Sequence, residues 1–181
     1  MLFRSIWYFA VTGAYTGGQV MQANFGQRAF LNSPPSGFNA LCAPNLASPT
    51  ILNGAGYMAA TTYTGTGATQ SITNTVGSTS FQPDWVWTKS RSAATDNKIT
   101  DSVRGVTNAL ITSSTAAQTT DAGGVTAFNS NGFTVGTTAA YNTNAATYIG
   151  WQWKCNAGTT ASNTNGSITS TVQVNATSGF S

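Results

Sequence analysis

The sequence predicts an all-β fold, an antiparallel sandwich or jelly roll with short helices or none, and three observations carry that reading. Alternation of apolar and polar residues recurs along the chain, while the 3.6-residue period of helices is almost absent. Turn residues interrupt it at short intervals, with 19 glycines and 5 prolines in 181 residues. The rest is largely Thr, Ser, Asn and Ala around separate aromatics, a composition that suits short pleated strands.

The elements follow in order. Ile6 to Thr12 reads as a strand closed by Gly13 and Gly17-Gly18, and Gln19 to Phe30 as a second. Ser33-Pro34-Pro35-Ser36-Gly37-Phe38 must leave the sheet, because proline has no N–H to give a ladder. Asn39 to Cys42 fits one helical turn, and Pro44 and Pro49 mark a connector up to Ile51. A second block opens near Gly54. Tyr57 to Tyr63 and Ala68 to Thr73 are strands separated by the turn Thr64-Gly65-Thr66-Gly67.

Asp84-Trp85-Val86-Trp87-Thr88-Lys89 is the next strand, and the period of two puts Trp85, Trp87, Lys89 and Arg91 on one face. Asp101 to Ile111 fits a short helix or an ordered loop equally. Val125 to Phe128 and Phe133 to Gly136 flank Asn129-Ser130-Asn131-Gly132, whose Asn-Gly step favours a tight hairpin. Tyr148 to Lys154 is the clearest strand, with Ile149, Trp151 and Trp153 on one face, and Thr169 to Val174 is the last. About ten short strands at this spacing point to a sandwich or jelly roll. The expected organisation is residues 1–50 as a partial β segment and Pro-rich connector, 51–158 as a sandwich, and 159–181 as a Thr/Asn/Ser-rich tail with a strand.

Charge is scarce. Charged residues are 6% of the chain, with no His, against about 25% in ordinary soluble proteins. Low charge with abundant aromatics argues against disorder, which favours the opposite balance. The net charge of +3 comes from seven scattered Lys and Arg, which form no basic stripe, so nucleic acid is not an expected partner. The apolar N-terminus lacks the pattern of a signal peptide, and no run approaches the ~18 apolar residues of a membrane span. Cys42 and Cys155 have no metal-ligand spacing; they are one long-range disulfide or two separate thiols, with the second preferred.

Seven of the eleven charged side chains fall between Phe81 and Gly105: Asp84, Lys89, Arg91, Asp96, Lys98, Asp101 and Arg104. Without His or Glu, acid–base chemistry would fall to these, Asp121 or Lys154. No spacing marks a carboxylate pair, so no catalytic residue is expected; Asp84, at a strand start, is expected to accept backbone N–H groups. No loop has the oxygen density of a calcium site, and neither metal nor cofactor is expected. Asn165-Gly166-Ser167 and Asn175-Ala176-Thr177 fit the glycosylation pattern at a rate that chance supplies here.

The expected role of the charged segment is a structural latch. Trp85 and Trp87 anchor the strand, and Lys89, Arg91, Asp101 and Arg104 fasten the following loop to the sheet. If the segment is helical, Asp101 and Arg104, three apart, sit on one face and pair. Trp85, Trp87, Trp151 and Trp153 are expected in the core, since buried aromatics dominate core packing. The competing reading is a glycan contact through Arg91, Arg104, Trp151 and Trp153, because an Arg fork and aromatic faces suit such ligands.

Phe81 to Arg91, Asp101-Ser102-Val103-Arg104-Gly105, Gly124 to Gly136 and Tyr148 to Lys154 together resemble an uncharacterised β-rich domain recurrent in structural proteins of marine tailed phages, over about residues 57–156. Asn24 to Phe30 and Pro34 to Leu41 resemble the closing strand and exit of a SPRY-type, concanavalin-like module, which often precedes that domain. Members of the resembled domain usually carry a His near Asn97, absent here. Asn175 to Ser181 resembles the start of a further module, as Gly54 to Tyr57 opens this one.

The resemblance implies a non-enzymatic virion protein, an appendage or fibre component that contributes to host-surface attachment. Its implied partners are copies of itself, other virion proteins and a host cell-surface glycan, without membrane insertion. A capsid-surface or decoration protein and a carbohydrate-binding module are the alternatives. A glycan-degrading tail enzyme would need the missing acid pair.

Overall fold

The computed structural model describes residues 48–181 continuously, together with 28–30, 32–33, 35–37 and 39. The chain divides into two compact units, Met1–Ser48 and Pro49–Ser181. The strand expected over 6–12, nearly all of that over 19–30, most of the turn over 39–42 and Cys42 lie outside the described residues. Arg28 to Phe30, where the second of those strands was expected to end, are not in a strand.

The second unit is all-β. A 3-10 turn, Gly54–Gly56, leads into β1 (Met58–Thr64) and β2 (Gln70–Thr73), followed by β3 (Trp85–Ser90), β4 (Lys98–Asp101), β5 (Asn108–Ile111) and β6 (Thr119–Thr120). Then come β7 (Val125–Asn129), β8 (Gly132–Val135), a single helical turn α1 (Ala139–Asn142), β9 (Thr147–Trp153), β10 (Ala161–Asn163) and β11 (Ser170–Val172). β1-β9-β3-β4-β5-β6 form one antiparallel sheet, β2-β8-β7 a second, and β10-β11 a hairpin. The boundary expected at residue 158 falls inside this unit.

The two larger sheets make a sandwich. Val86 of β3 packs with Ile72 of β2, Val125 of β7, Phe133 and Val135 of β8 and Tyr141 of α1. The strict alternation of β3 and β9 dictates which residues face this core: Val86, Thr88 and Ser90 on one, Tyr148, Gly150 and Gln152 on the other, all buried. At Gly150 the partner sheet approaches closely. A Cβ on Gly150 would lie 2.8 Å from Cζ of Phe133, below any ordinary carbon contact.

Tyr141 Oη and Thr100 Oγ1 are buried without a partner, but the side-chain amides that this core encloses are paired, as burial favours. Asn74 donates to the Phe81 carbonyl at 2.8 Å and to Gln152 Oε1 at 3.1 Å, and Gln152 Nε2 donates to Thr61 Oγ1 at 3.0 Å. Asn142 accepts from Thr66 N–H and Gln70 Nε2 and donates to the carbonyls of Ala68 and Gly136. These side-chain amides stitch together strands that apolar contact alone would leave free to slide.

The β7–β8 hairpin forms within Asn129–Gly132 as expected, but its turn lies one residue before the Asn131-Gly132 step. Asn129 pairs with Gly132, which leaves Ser130 and Asn131 as the two-residue turn. Gly132 has φ +147, and a Cβ there would sit 1.9 Å from the Ile72 carbonyl oxygen; only glycine fits. The segment 102–105 is a turn and not a helix, closed by Gly105 at φ +91.

Candidate functional site: the tryptophan face and its cleft

The face of the six-stranded sheet opposite the core is ordered in transverse rows. Cross-strand register aligns Met58, Trp153, Trp85 and Asp101 in one row. Ala60, Trp151, Trp87, Ile99 and Leu110 form the next, and Thr62, Ile149 and Lys89 the third. The face sharing expected of Trp85, Trp87 and Lys89, and of Ile149, Trp151 and Trp153, is therefore present.

Their expected place in the core is not. All four tryptophans are half-buried on the outer face, because Val86, Thr88, Gly150 and Gln152 occupy the inner positions against the second sheet. Periodicity groups residues onto a face; it does not say which face a second layer covers.

The tryptophans pack on one another. Trp85 meets Trp153 at 4.5 Å and 69°, an edge-to-face contact, and meets Trp87 at 6.1 Å and 70°. Trp87 and Trp151 are 5.4 Å apart, and Phe180 stacks on Trp153 at 6.3 Å and 19°. Such pairs contribute about 0.5–1.5 kcal/mol beyond area burial. The result is a continuous aromatic ladder on the adjacent strands β3 and β9, extended by Phe180.

The latch exists in part. Asp101 Oδ2 accepts from Arg104 Nε at 2.6 Å and lies 2.6 Å from Nη2. Asp101 Oδ1 accepts the Val103 and Arg104 N–H groups, the carboxylate cap of a tight turn. Arg104 Nη1 reaches Gln118 Oε1 at 3.3 Å. Lys89 Nζ donates to the Thr95 carbonyl at 3.2 Å and fastens the loop after β3. Arg91 does not join: its side chain is exposed and only its backbone N–H bonds, to the Thr147 carbonyl.

Asp84, Asp96, Asp121, Lys98 and Lys154 are also engaged. Asp84 is 3% exposed. Its carboxylate accepts from Cys155, Ala157 and Gly158 N–H at 2.7, 2.9 and 2.7 Å and from Ser102 Oγ at 2.8 Å. It does accept backbone donors, as expected, but from a loop far along the chain. Lys98 Nζ lies 3.5 Å from Asp121 Oδ2, with Thr138 Oγ1 donating to Asp121 Oδ1 at 2.6 Å. Asp96 accepts from Ser113 Oγ at 3.4 Å, and Lys154 Nζ sits 5.8 Å over the Tyr57 ring. Among the described residues, no three His, Cys, Asp or Glu side chains gather as metal ligands.

At the Asp101 end of the first row lies a cleft of about 550 Å³, walled by Trp85, Val103, Phe180, the Asp101–Arg104 pair and Gln173. The C-terminal residues build it. Gln173 Nε2 donates to Ser102 Oγ at 2.7 Å, and Asn175 Nδ2 to the Cys155 carbonyl at 2.8 Å. Cys155 is a buried free thiol whose Sγ–H points to the Phe180 carbonyl; burial raises its pKa. Sequence reasoning missed Ser102, Gln173 and Phe180. The one signal was an aromatic and a long amide in a tail otherwise rich in Thr, Asn, Ser and Gly.

Fold and site together define an all-β sandwich module whose exposed sheet face is an aromatic surface bordered by a small polar cleft. Residues 53–181 match the family described as Domain of unknown function (DUF7483), and the chain belongs to that family. No curated protein and no solved structure matches it.

Proposed function

We propose that this protein is a non-enzymatic structural component of a tailed-phage particle, an appendage or fibre element that contributes to host-surface attachment. One observation carries the surface role: four tryptophans, paired across the central strands, stay half-exposed on an open sheet face. Aromatic side chains there are characteristic anchors of contact surfaces. The phage setting rests on the resemblance of the segments from Phe81 to Lys154 to domains of such particles. Engagement of all four Asp carboxylates by hydrogen bonds or cations supports a binding role over acid–base chemistry.

With few charges, long-range steering is weak, and attachment works by contact and copy number. Beads carrying many copies of the chain are expected to adhere to host cells, while the isolated chain binds them weakly. Tight monovalent binding refutes that mechanism. Imaging the intact particle with the chain labelled tests location: density on the capsid shell replaces the appendage with a decoration protein.

A further inference from the structure

We infer that the cleft beside Trp85 is a binding site for a single neutral saccharide ring. The inference deepens the attachment reading and rests on it only for the natural source of the sugar. At about 550 Å³ the cleft falls in the range of small-molecule sites, roughly 300–1,000 Å³.

Its chemistry is set by a proton chain. The Asp84 carboxylate takes hydrogen bonds on both oxygens, and the Ser102 hydroxyl spends its single proton on Oδ1. Ser102 Oγ can then only accept from Gln173, which fixes the amide with its NH2 toward Ser102. Gln173 is 5% exposed, and its Oε1, buried, has no hydrogen-bond partner. Other buried polar atoms, such as Thr100 Oγ1 and Tyr141 Oη, also lack a partner, but of these residues only Gln173 lines the cleft, where a ligand O–H can supply the missing donor.

The other walls choose the ligand. Trp85, Val103 and Phe180 offer apolar surface for a C–H face. The Asp101–Arg104 pair is internally neutralised, so it favours groups that both donate and accept over a net anion or cation. Nη1 of Arg104 is held only by a 3.3 Å contact to Gln118, which leaves guanidinium N–H capacity. A ring with one apolar face and hydroxyls at its rim meets all of these demands. A phosphate or an amine meets only part of them.

The test titrates the full chain with glucose, galactose, mannose and N-acetylglucosamine, each to about 50 mM, well above a millimolar dissociation constant. Amide, indole N–H and Gln side-chain resonances are followed by NMR. At least one sugar is expected to saturate, with shifts clustered at Trp85, Val103, Arg104, Gln173 and Phe180. Val103→Trp, a change at an exposed residue that fills the cleft, is expected to abolish saturation. Gln173→Met is expected to weaken it about tenfold through loss of one buried acceptor. If Gln173→Met disturbs folding, Val103→Trp alone decides.

No saturating sugar, or unchanged binding by Val103→Trp, overturns the inference. Adhesion of wild-type beads to cells without any sugar effect at the cleft sinks the cleft and spares attachment. Sugar binding at the cleft without adhesion does the reverse.

Discussion

Asp84, one residue before β3, accepts the Gly158 backbone N–H at 2.7 Å across 74 residues of chain. Together with the Cys155 and Ala157 N–H groups, this carboxylate fills a concave nest of backbone donors, closed by Ala157 and Gly158 at φ +49 and +81. The nest is a backbone arrangement that holds an anion. Here the anion is a side chain of the same protein, and it joins the tryptophan strand to the C-terminal loop.

Asp84→Ala orphans three backbone donors and the Ser102 hydroxyl, each unmade bond at a buried site costing about 1–3 kcal/mol before water enters. The expected loss in stability is about 3 kcal/mol, read by urea unfolding with unchanged slope. Hydrogen exchange should accelerate most at Cys155, Ala157 and Gly158. Unchanged protection there would show that Asp84 does not hold the loop.

Gly150→Ala tests how closely the sheets pack. The added methyl would stand 2.8 Å from Phe133 Cζ, and Phe133 is fully buried, so neither group can move away freely. The expected cost is about 1–3 kcal/mol from overpacking. Phe133→Leu in the same chain should recover part of it, a coupling visible in thermal melts. Additive losses would mean that the two side chains do not meet.

Much of the strand pattern was legible because alternation is a local signal. β1, β3, β7, β8 and β9 stand within a residue or two of where alternation and turn residues place them. β4, β5 and β6 were not, since Lys98 to Thr120 is mostly polar and its strands are short and partly exposed. Asp101 and Arg104 were expected to pair along a helix; they pair instead across a tight turn that Asp101 caps. The outward aspect of the tryptophans was not legible, because it depends on Phe133 and Val135 arriving from β8 over the opposite face. Gln173 gains its place only through Ser102 and Asp84, a chain of contacts with no local signature.

Trp85 and Trp153 should couple energetically. They stand opposite one another in register at 4.5 Å. A double-mutant cycle with Trp85→Leu and Trp153→Leu is expected to give about 0.5–1.5 kcal/mol of interaction. Trp85 with Leu110, which share no direct contact in the ladder, should give none. Equal coupling in both pairs would argue for a general loosening of the face.

The two arginines of the charged segment should behave differently. Arg104→Ala removes the partly exposed pair with Asp101 and the Gln118 contact, and is expected to cost about 0.5–1 kcal/mol, less in high salt. Arg91→Ala removes an exposed side chain without a partner and should stay within about 0.5 kcal/mol of wild type. Denaturation of the two variants at low and high salt separates them; equal costs would restore Arg91 to the latch.

Stability should decline on the alkaline side. Burial pushes the phenols of Tyr63 and Tyr141 well above their usual value, and burial also raises the Cys155 thiol. Raised folded values mean that the unfolded chain releases these protons first. Their contribution is full below the unfolded values, about 8.5 for Cys and 10 for Tyr, and is lost as pH climbs through the folded values. The chain has no His to titrate near neutrality, so urea midpoints should change little from about pH 6 to 8, fall gently above that and steeply beyond about 10. The Tyr63 hydroxyl donates to the Tyr141 carbonyl at 2.9 Å, so Tyr63→Phe should lower stability at pH 7 yet flatten the alkaline fall. Tyrosinate absorbance followed alongside circular dichroism decides the matter: the buried phenols should ionise only as the sandwich unfolds, and ionisation of every tyrosine in the intact fold would refute their burial.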